Sequence, residues 1–366
     1  MTEPSLSIII PAYNAKLWIA DCIDSALRSY SGDLEVICVD DGSTDKTAEI
    51  VKKYYGNDSR VKCISQANQG RCIARNLGIE LSTGDWIGFL DADDQIAPHA
   101  FDSIASILSM DVSMVCSLGK NISSYPACDA DVLDWRIECA SLDVEESLSF
   151  LLDCEQGRKN ESIQSKYTIF NKYNTMWCSA VFTKLFSGDG VRRGGVRFVP
   201  GLKFGEDMLF IYDYLRHQYN SGKLIQFSSA VTHCYNTSSE GTIRTYKQGD
   251  LAALKRTLYE WSKRDPTSVY GAGIASCCMR NCLFLSVRAA KFLPLSIFAR
   301  EINSFLDADC FTLLFKRYKD GMLDYLPSKA KRLWKYAASC LMRNQKRRYA
   351  IAVVILGLLQ KVKDGQ

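Results

Sequence analysis

Histidine is scarce, with three in 366 residues, and the fifteen cysteines include no C-x-x-C pair. Their odd number and irregular spacing exclude a regular disulfide framework and read as reduced thiols. No G-x-G-x-x-G follows an early strand, which argues against dinucleotide oxidoreduction. Pro11–Ala15, after the first strand, holds neither glycine nor arginine, so the basic phosphate loop wanted for nucleotidylyl transfer is missing. Met1–Ser5 shows no basic start and no apolar signal stretch, so secretion is not expected and a cytoplasmic setting is. Repeats and low-complexity tracts are absent as well.

What is present is an ordinary globular composition, 47% hydrophobic and 23% charged, long enough for one large catalytic domain plus an appendage. The formal net charge of +4 is unevenly divided. Lys329–Gln366 carries ten Lys/Arg against one acid, or +9, leaving Met1–Ser328 with 35 basic and 40 acidic residues, or −5. An acidic body does not suit a nucleic-acid binder, whose basic residues should line the domain face.

The first third alternates short apolar runs with helical spacing, the pattern of βαβ units and a parallel sheet. Strands are predicted at Leu6–Ile10, Leu34–Val39, Val61–Ile64 and Trp86–Leu90. Helical spacing links Ile19, Ile23, Ala26, Leu27 and Tyr30, then Ala48, Ile50, Val51 and Tyr54 after the N-cap candidates Ser43 and Thr44, then Gly70–Leu81. Between Asp111 and Trp177 only a strand (Val112–Ser117) and a helix (Val144–Leu152) are legible. Beyond Asp250 the pattern is helical, with Leu251, Leu254, Leu258 and Trp261 in register.

Three polar clusters follow strand ends: Pro11–Asn14, Asp40–Asp45 and Asp91–Asp94. In open α/β sheets ligands bind beyond the carboxyl ends of strands, so the three should converge on one crevice. Asp91 and Asp93 are spaced to address one hard divalent cation and its bound phosphates; an acidic turn uses the same residues. Asp40 and Asp41 precede a sharp turn where a carboxylate could accept from a base or ribose, or simply cap it. Tyr13 suits a nucleobase, Gly70 allows close backbone approach to a ligand, and Arg71 and Arg75 could face phosphate or solvent.

The motifs SIIIPAYNA (Ser7–Ala15), VDDGSTD (Val39–Asp45), NQGRCIARNLG (Asn68–Gly78), GDWIGFLDADD (Gly84–Asp94) and FGEDMLF (Phe204–Phe210) together resemble the family 2 glycosyltransferases of the GT-A fold. The likeness is dense over the first hundred residues and resumes near Trp177 and at Glu206–Asp207. It implies a Rossmann-like α/β fold, a mixed but mainly parallel sheet flanked by helices, with a C-terminal helical appendage. The expected organisation is a catalytic domain over 1–248 (donor half 1–118, acceptor half 119–248), the appendage over 249–328 and a basic tail over 329–366.

By the same resemblance Pro11, Ala12, Tyr13, Asn14, Asp41, Asn68, Gly70 and Arg75 fall on the nucleotide-sugar site, with Asp91 and Ala92 of the D-x-D. Asp91 and Asp93 are the expected metal ligands, Asp93 the more direct of the two, and Asp207 falls on the catalytic base. His233 is a candidate third ligand and Arg244 a candidate diphosphate contact, although a lone histidine is more often structural. The implied chemistry is inverting transfer of sugar from a nucleotide donor, a UDP-sugar by analogy, with Mn²⁺ or Mg²⁺ as cofactor. The expected acceptor is a glycan or lipid-linked glycan in bacterial surface polysaccharide assembly. A catalytically inactive nucleotide-sugar-binding protein of the same fold is the alternative, disfavoured by retention of Asp91, Asp93 and Asp207.

In the tail Leu333, Trp334, Ala337 and Leu341 form an apolar stripe among Lys331, Arg332, Lys335 and Arg343. Such a helix fits an anionic membrane surface on the cytoplasmic side, or packs on its own protein. The run Tyr349–Leu359 has eleven uncharged residues, short of the roughly 17–25 that span a bilayer.

Overall fold

A computed structural model describes residues 3–122, 138–155, 180–237, 246–264, 271–306, 331–342 and 345–363. The chain divides into two units. The first comprises Met1–Phe150, Glu161–Gly201 and Glu206–Ser239; the second comprises Leu151–Asn160, Leu202–Gly205 and Glu240–Gln366.

The strands are β1 (Leu6–Ala12), β2 (Leu34–Asp40), β3 (Val61–Ser65), β4 (Trp86–Phe89), β5 (Gln95–Ile96), β6 (Val112–Ile122), β7 (Cys139–Leu142), β8 (Lys184–Ser187) and β9 (Leu224–Asn236). The described helices are α1 (Ile19–Leu27), α2 (Thr47–Tyr55), α3 (Arg71–Leu81), α4 (Ala105–Leu108), α5 (Val144–Glu155), α6 (Gly188–Arg192) and α7 (Glu206–Gln218). They continue as α8 (Asp250–Lys263), α9 (Gly271–Phe292), α10 (Leu295–Leu306), α11 (Lys331–Met342) and α12 (Lys346–Lys363).

The nine described strands form one mixed sheet ordered β3-β2-β1-β4-β8-β6-β9-β5, with β7 on β9. The first four are parallel neighbours; β8 runs antiparallel to β4 and to β6. The expected βαβ half is therefore present. β1 and β2 read as continuous apolar runs because both faces are covered. On one face Ile8, Ile10, Val36 and Cys38 pack with Ile19, Cys22, Ile23 and Ala26 of α1. On the other, Ile37 and Val39 pack with Ala74 of α3. A Cβ at Gly78 would sit 2.3 Å from Ile9 Cγ2, so only glycine lets α3 lie this close to β1.

An aromatic cluster ties α7 to the sheet. Phe210 stacks on Phe198 at 4.2 Å between ring centroids and meets Phe89 and Phe186 edge-on at 5.5 and 5.3 Å. This fixes the first turn of α7, with Glu206 and Asp207, beside α3.

Several local expectations shift. α2 starts at Thr47 with Lys46 at the N-cap and no side-chain cap, because Ser43 and Thr44 are engaged elsewhere: Ser43 Oγ accepts from Asn14 N and Thr44 N donates to Asn14 Oδ1. The helix buries Val51 and Tyr55, leaving Tyr54 exposed. Eight described cysteines are free, but Cys234 is disulfide-bonded, so the expectation of reduced thiols fails there.

In the second unit α9 packs against α12, and α8 packs against α9 and α10. Leu251, Leu254, Leu258 and Trp261 are buried, as their spacing predicts. Of the tail stripe, Ala337 and Leu341 of α11 are buried, as is Cys340, and Leu333 is half-buried, while the Trp334 side chain lies outside the described residues; Tyr349, Ala352, Val353 and Leu356 of α12 are buried as well. Tyr349 Oη donates to Ser286 Oγ of α9 at 2.9 Å. No described helix is long and apolar enough to cross a membrane.

Candidate functional site

The carboxyl ends of β1, β2 and β4 and the first turns of α3 and α7 bring most of the candidate residues together. At the end of β1, Tyr13 is 51% exposed, an aromatic surface open to a ligand. Asn14, exposed and at φ 52°, directs its side chain to the loop after β2, where Oδ1 accepts from the Thr44 and Asp45 amides at 2.8 and 3.3 Å. Its geometry is that of a brace between β1 and the loop after β2.

Asp41 is buried and anchors the approach to α3. Its Oδ1 accepts from Gln66 Nε2 at 2.7 Å and Gln69 N at 2.9 Å, and its Oδ2 from Gly70 N at 2.8 Å. Gly70 caps α3 at φ 90°, with open space where a Cβ would be. A side chain there would be strained, so the open backbone at the α3 N-terminus requires glycine. Asn68 lies exposed in the same loop.

Arg75 is the hub. Its side chain is 2% exposed, yet Nη2 donates to Asp91 Oδ1 and Nη1 to Asp207 Oδ1, each at 2.8 Å. Its guanidinium lies 5.0 Å from the Phe198 ring, and Nε is buried without a hydrogen-bond partner among the described residues. One turn earlier Arg71 Nη2 pairs with Glu206 Oε1 at 2.7 Å. The expectation that Arg75 faces phosphate is thus replaced by a bridge between the D-x-D and the acidic pair of α7, which are 116 positions apart in sequence. Asp207 Oδ2 also accepts from Val181 N at 3.3 Å.

These ion pairs set the charge states. Burial works to raise the Asp91 pKa, but Arg75 and Arg71 outweigh it and hold the carboxyl below its ordinary value. Glu206 moves the other way, raised by burial against the pull of Arg71, with Asp207 adding to the rise.

His233 sits inside β9 rather than on a loop. Its side chain is 1% exposed, Nε2 lies 3.0 Å from Asp94 Oδ2, and the ring stacks on Phe182 at 4.1 Å. Asp94 Oδ1 accepts from Asn236 N at 2.8 Å. That is the geometry of a satisfied buried pair. Arg244 lies outside the described residues.

Among the described residues no three His, Cys, Asp or Glu converge to hold a metal ion. Two carboxylates at a strand end, one of them held ionised, still suit a magnesium-like cation, which takes one or two protein carboxylates plus substrate phosphates.

Unforeseen in the sequence were Gln66 and Gln69 holding Asp41, Phe198 under Arg75, and Asp94 holding His233. The glutamines flank Asn68 within a motif already singled out; the other two contacts leave no local signal.

The mixed sheet, with these side chains gathered at its parallel strand ends, has the GT-A form of α/β fold. Over 99% of this chain and 92% of that one, the fold is that of Staphylococcus aureus TarS, residues 1–349, in a crystal structure with UDP-GlcNAc (TM-score 0.62, 18% identity). A segment of this chain, residues 7–123, matches the model of glycosyl transferase family 2. It is 44% identical over 101 residues to the uncharacterized glycosyltransferase EpsJ of Bacillus subtilis, covering 28% of this chain and 29% of that protein. Identity to the chondroitin synthase of Escherichia coli is 43% over 136 residues, covering 37% and 20%. The chain thus spans less than a third of these relatives. A longer match, 26% identical over 249 residues, covers 67% of this chain and 65% of the uncharacterized glycosyltransferase YibD of Escherichia coli.

Proposed function

We propose that the protein is a glycosyltransferase that moves a sugar from a nucleotide donor, a UDP-sugar, to a hydroxyl of a glycan or lipid-linked glycan acceptor in bacterial polysaccharide assembly. The observation that carries this reading is the Arg75 bridge, which joins the acid at the end of β4 to the acid at the start of α7. A donor-side and an acceptor-side carboxylate then share one rigid side chain.

In this reading Tyr13 lies against the nucleobase, the Asp41 pocket takes the nucleoside, and the Gly70 backbone and α3 N-terminus face the diphosphate. Asp91 and Asp93 would hold a divalent cation, whose bound positive charge offsets that of the departing nucleoside diphosphate. Asp207, oriented by Arg75 and Val181, removes the acceptor proton as the hydroxyl attacks from the opposite face, with inversion. Asp94 and His233 brace the D-x-D turn from beneath.

UDP affinity measured by calorimetry should fall tenfold or more, about 1.4 kcal/mol, when chelator replaces Mn²⁺ or Mg²⁺, and Asp93→Ala should remove the difference. Equal affinity with and without metal would sink the D-x-D assignment. Transfer assayed over a panel of nucleotide sugars identifies the donor.

Attachment to an anionic membrane surface on the cytoplasmic side belongs to the same proposal, through a surface other than the tail stripe, whose Ala337 and Leu341 are buried. Arg347 is exposed on α12, Ile351 is 61% and Ile355 43% exposed at four-residue steps, and Arg348 is exposed beside them. That outward stripe combines cationic and apolar groups as interfacial helices do. Ile351→Ser with Ile355→Ser should reduce sedimentation with anionic liposomes and leave the melting temperature close to wild type. Unchanged sedimentation would exclude this stripe.

A further inference from the structure

Cys38 of β2 and Cys63 of β3 occupy the same register position of a parallel strand pair. Side chains at such positions project from the same face of the sheet. Neighbouring strands lie about 4.8 Å apart, within the roughly 4.4–6.8 Å between Cα atoms that a disulfide spans. Both thiols are free and sit on directly paired positions. Their surroundings differ: Cys38 is fully buried in the core under α1, whereas Cys63 is exposed on the edge strand.

We propose that Cys38 and Cys63 form a dithiol that peroxide oxidises reversibly to a disulfide, with Cys63 the attacking and Cys38 the resolving residue. Its interaction with Cys38 lowers the Cys63 thiol below its ordinary pKa, and the same interaction, with burial, raises Cys38. The exposed thiol is therefore also the one with more thiolate. Cys63 thiolate attacks one oxygen of hydrogen peroxide, the O–O bond breaks, and hydroxide leaves and is protonated to water. The resulting Cys63 sulfenic acid is attacked at sulfur by Cys38, the S–O bond breaks, and hydroxide departs with the Cys38 proton as the second water. Two thiols lose two electrons and peroxide gains them.

The position gives the bond a consequence, which rests on the nucleotide-site reading above. Two positions further along the same pairing, Asp40 faces Ser65. Gln66 N then donates to Asp40 O at 2.9 Å, and Gln66 Nε2 to Asp41 at 2.7 Å. A disulfide drawing Cys38 and Cys63 together shifts the strand pair just before these anchors, so the oxidised protein should bind UDP more weakly.

The internal control is Cys139, also exposed, whose thiol burial raises above its ordinary pKa. In the full chain, iodoacetamide should alkylate Cys63 roughly tenfold faster than Cys139. Hydrogen peroxide should produce a peptide joining Cys38 to Cys63, absent from Cys63→Ser and lost on reduction with dithiothreitol, and UDP affinity should fall several-fold and return with the thiols. Equal alkylation of Cys63 and Cys139 overturns Cys63 as the attacking residue, and oxidation of Cys63 to sulfinic acid with no link to Cys38 overturns the dithiol. A Cys38–Cys63 link with unchanged UDP affinity overturns only the coupling to Asp41, and failure of the reduced protein to bind UDP counts against the nucleotide site instead.

Discussion

Asp207→Asn should reduce sugar transfer by roughly 10² to 10⁴ while UDP-sugar binding survives. The substitution keeps the size of the side chain, and an Asn Oδ1 can still accept from Arg75 Nη1, which lies 2.8 Å from Asp207 Oδ1. What disappears is the carboxylate lone pair that takes the acceptor proton. The other position becomes an amide donor facing Val181 N, so one hydrogen bond is lost, at a cost on the order of 1 kcal/mol of stability. Glu206→Gln should cost less turnover, because Glu206 is buried on Arg71 and its pKa is raised, by burial first. If Asp207 served only as a negative charge in the first turn of α7, its loss would cost about 0.3–1 kcal/mol and leave turnover near wild type. Near-wild-type turnover in a folded, donor-binding Asp207→Asn protein therefore removes Asp207 from the mechanism.

The half of the site nearest the N-terminus was legible because its strands announce themselves. Leu6–Ile10 and Leu34–Val39 are continuous apolar runs, as strands covered on both faces are, and each leads into a polar cluster. β9 was illegible for the opposite reason. Its buried positions include Ser228, Thr232, His233 and Asn236, and these are satisfied by remote partners. Ser117 Oγ meets the Thr232 hydroxyl, and Asp94 takes both His233 and Asn236 N. A strand whose inward face is polar shows no period of two in hydrophobicity. The slip from Tyr55 to Tyr54 in α2 has a related cause, since adjacent tyrosines leave the helical register undetermined until packing selects one. For Arg75, the residue type suggested an anion but not which one. Asp207 lies 132 residues away, and only the packing of α7 onto Phe89, Phe186 and Phe198 brings it within reach.

Arg75→Met should destabilise the protein by roughly 3–5 kcal/mol at neutral pH, the range seen when one partner of a buried ion pair is removed. Methionine fills much of the same volume above Phe198, so the loss is chiefly electrostatic: Asp91 and Asp207 lose their shared cation, and Glu206 keeps only Arg71. The pH dependence distinguishes this from lost packing. In the wild type the lowered pKa of Asp91 contributes stability that is present above the unfolded carboxyl value, about 3.9, and is lost as pH falls through the lower folded value. In the variant the Arg75 guanidinium is gone and burial is opposed chiefly by the remaining Arg71, so the folded pKa rises from its wild-type value. Protonation then relieves the buried charge, so the deficit should be largest at neutral pH and shrink as pH falls toward the carboxylate range. Arg75→Lys should recover part of the stability, since an ammonium restores the charge but not the fork that reaches two carboxylates at once. Urea unfolding of the three proteins at pH 5 and pH 7.5 supplies the comparison. A deficit in Arg75→Met that is equal at both pH values would assign Arg75 to packing on Phe198, and Asp91 and Asp207 would then be held apart from bulk water by the fold without needing its charge.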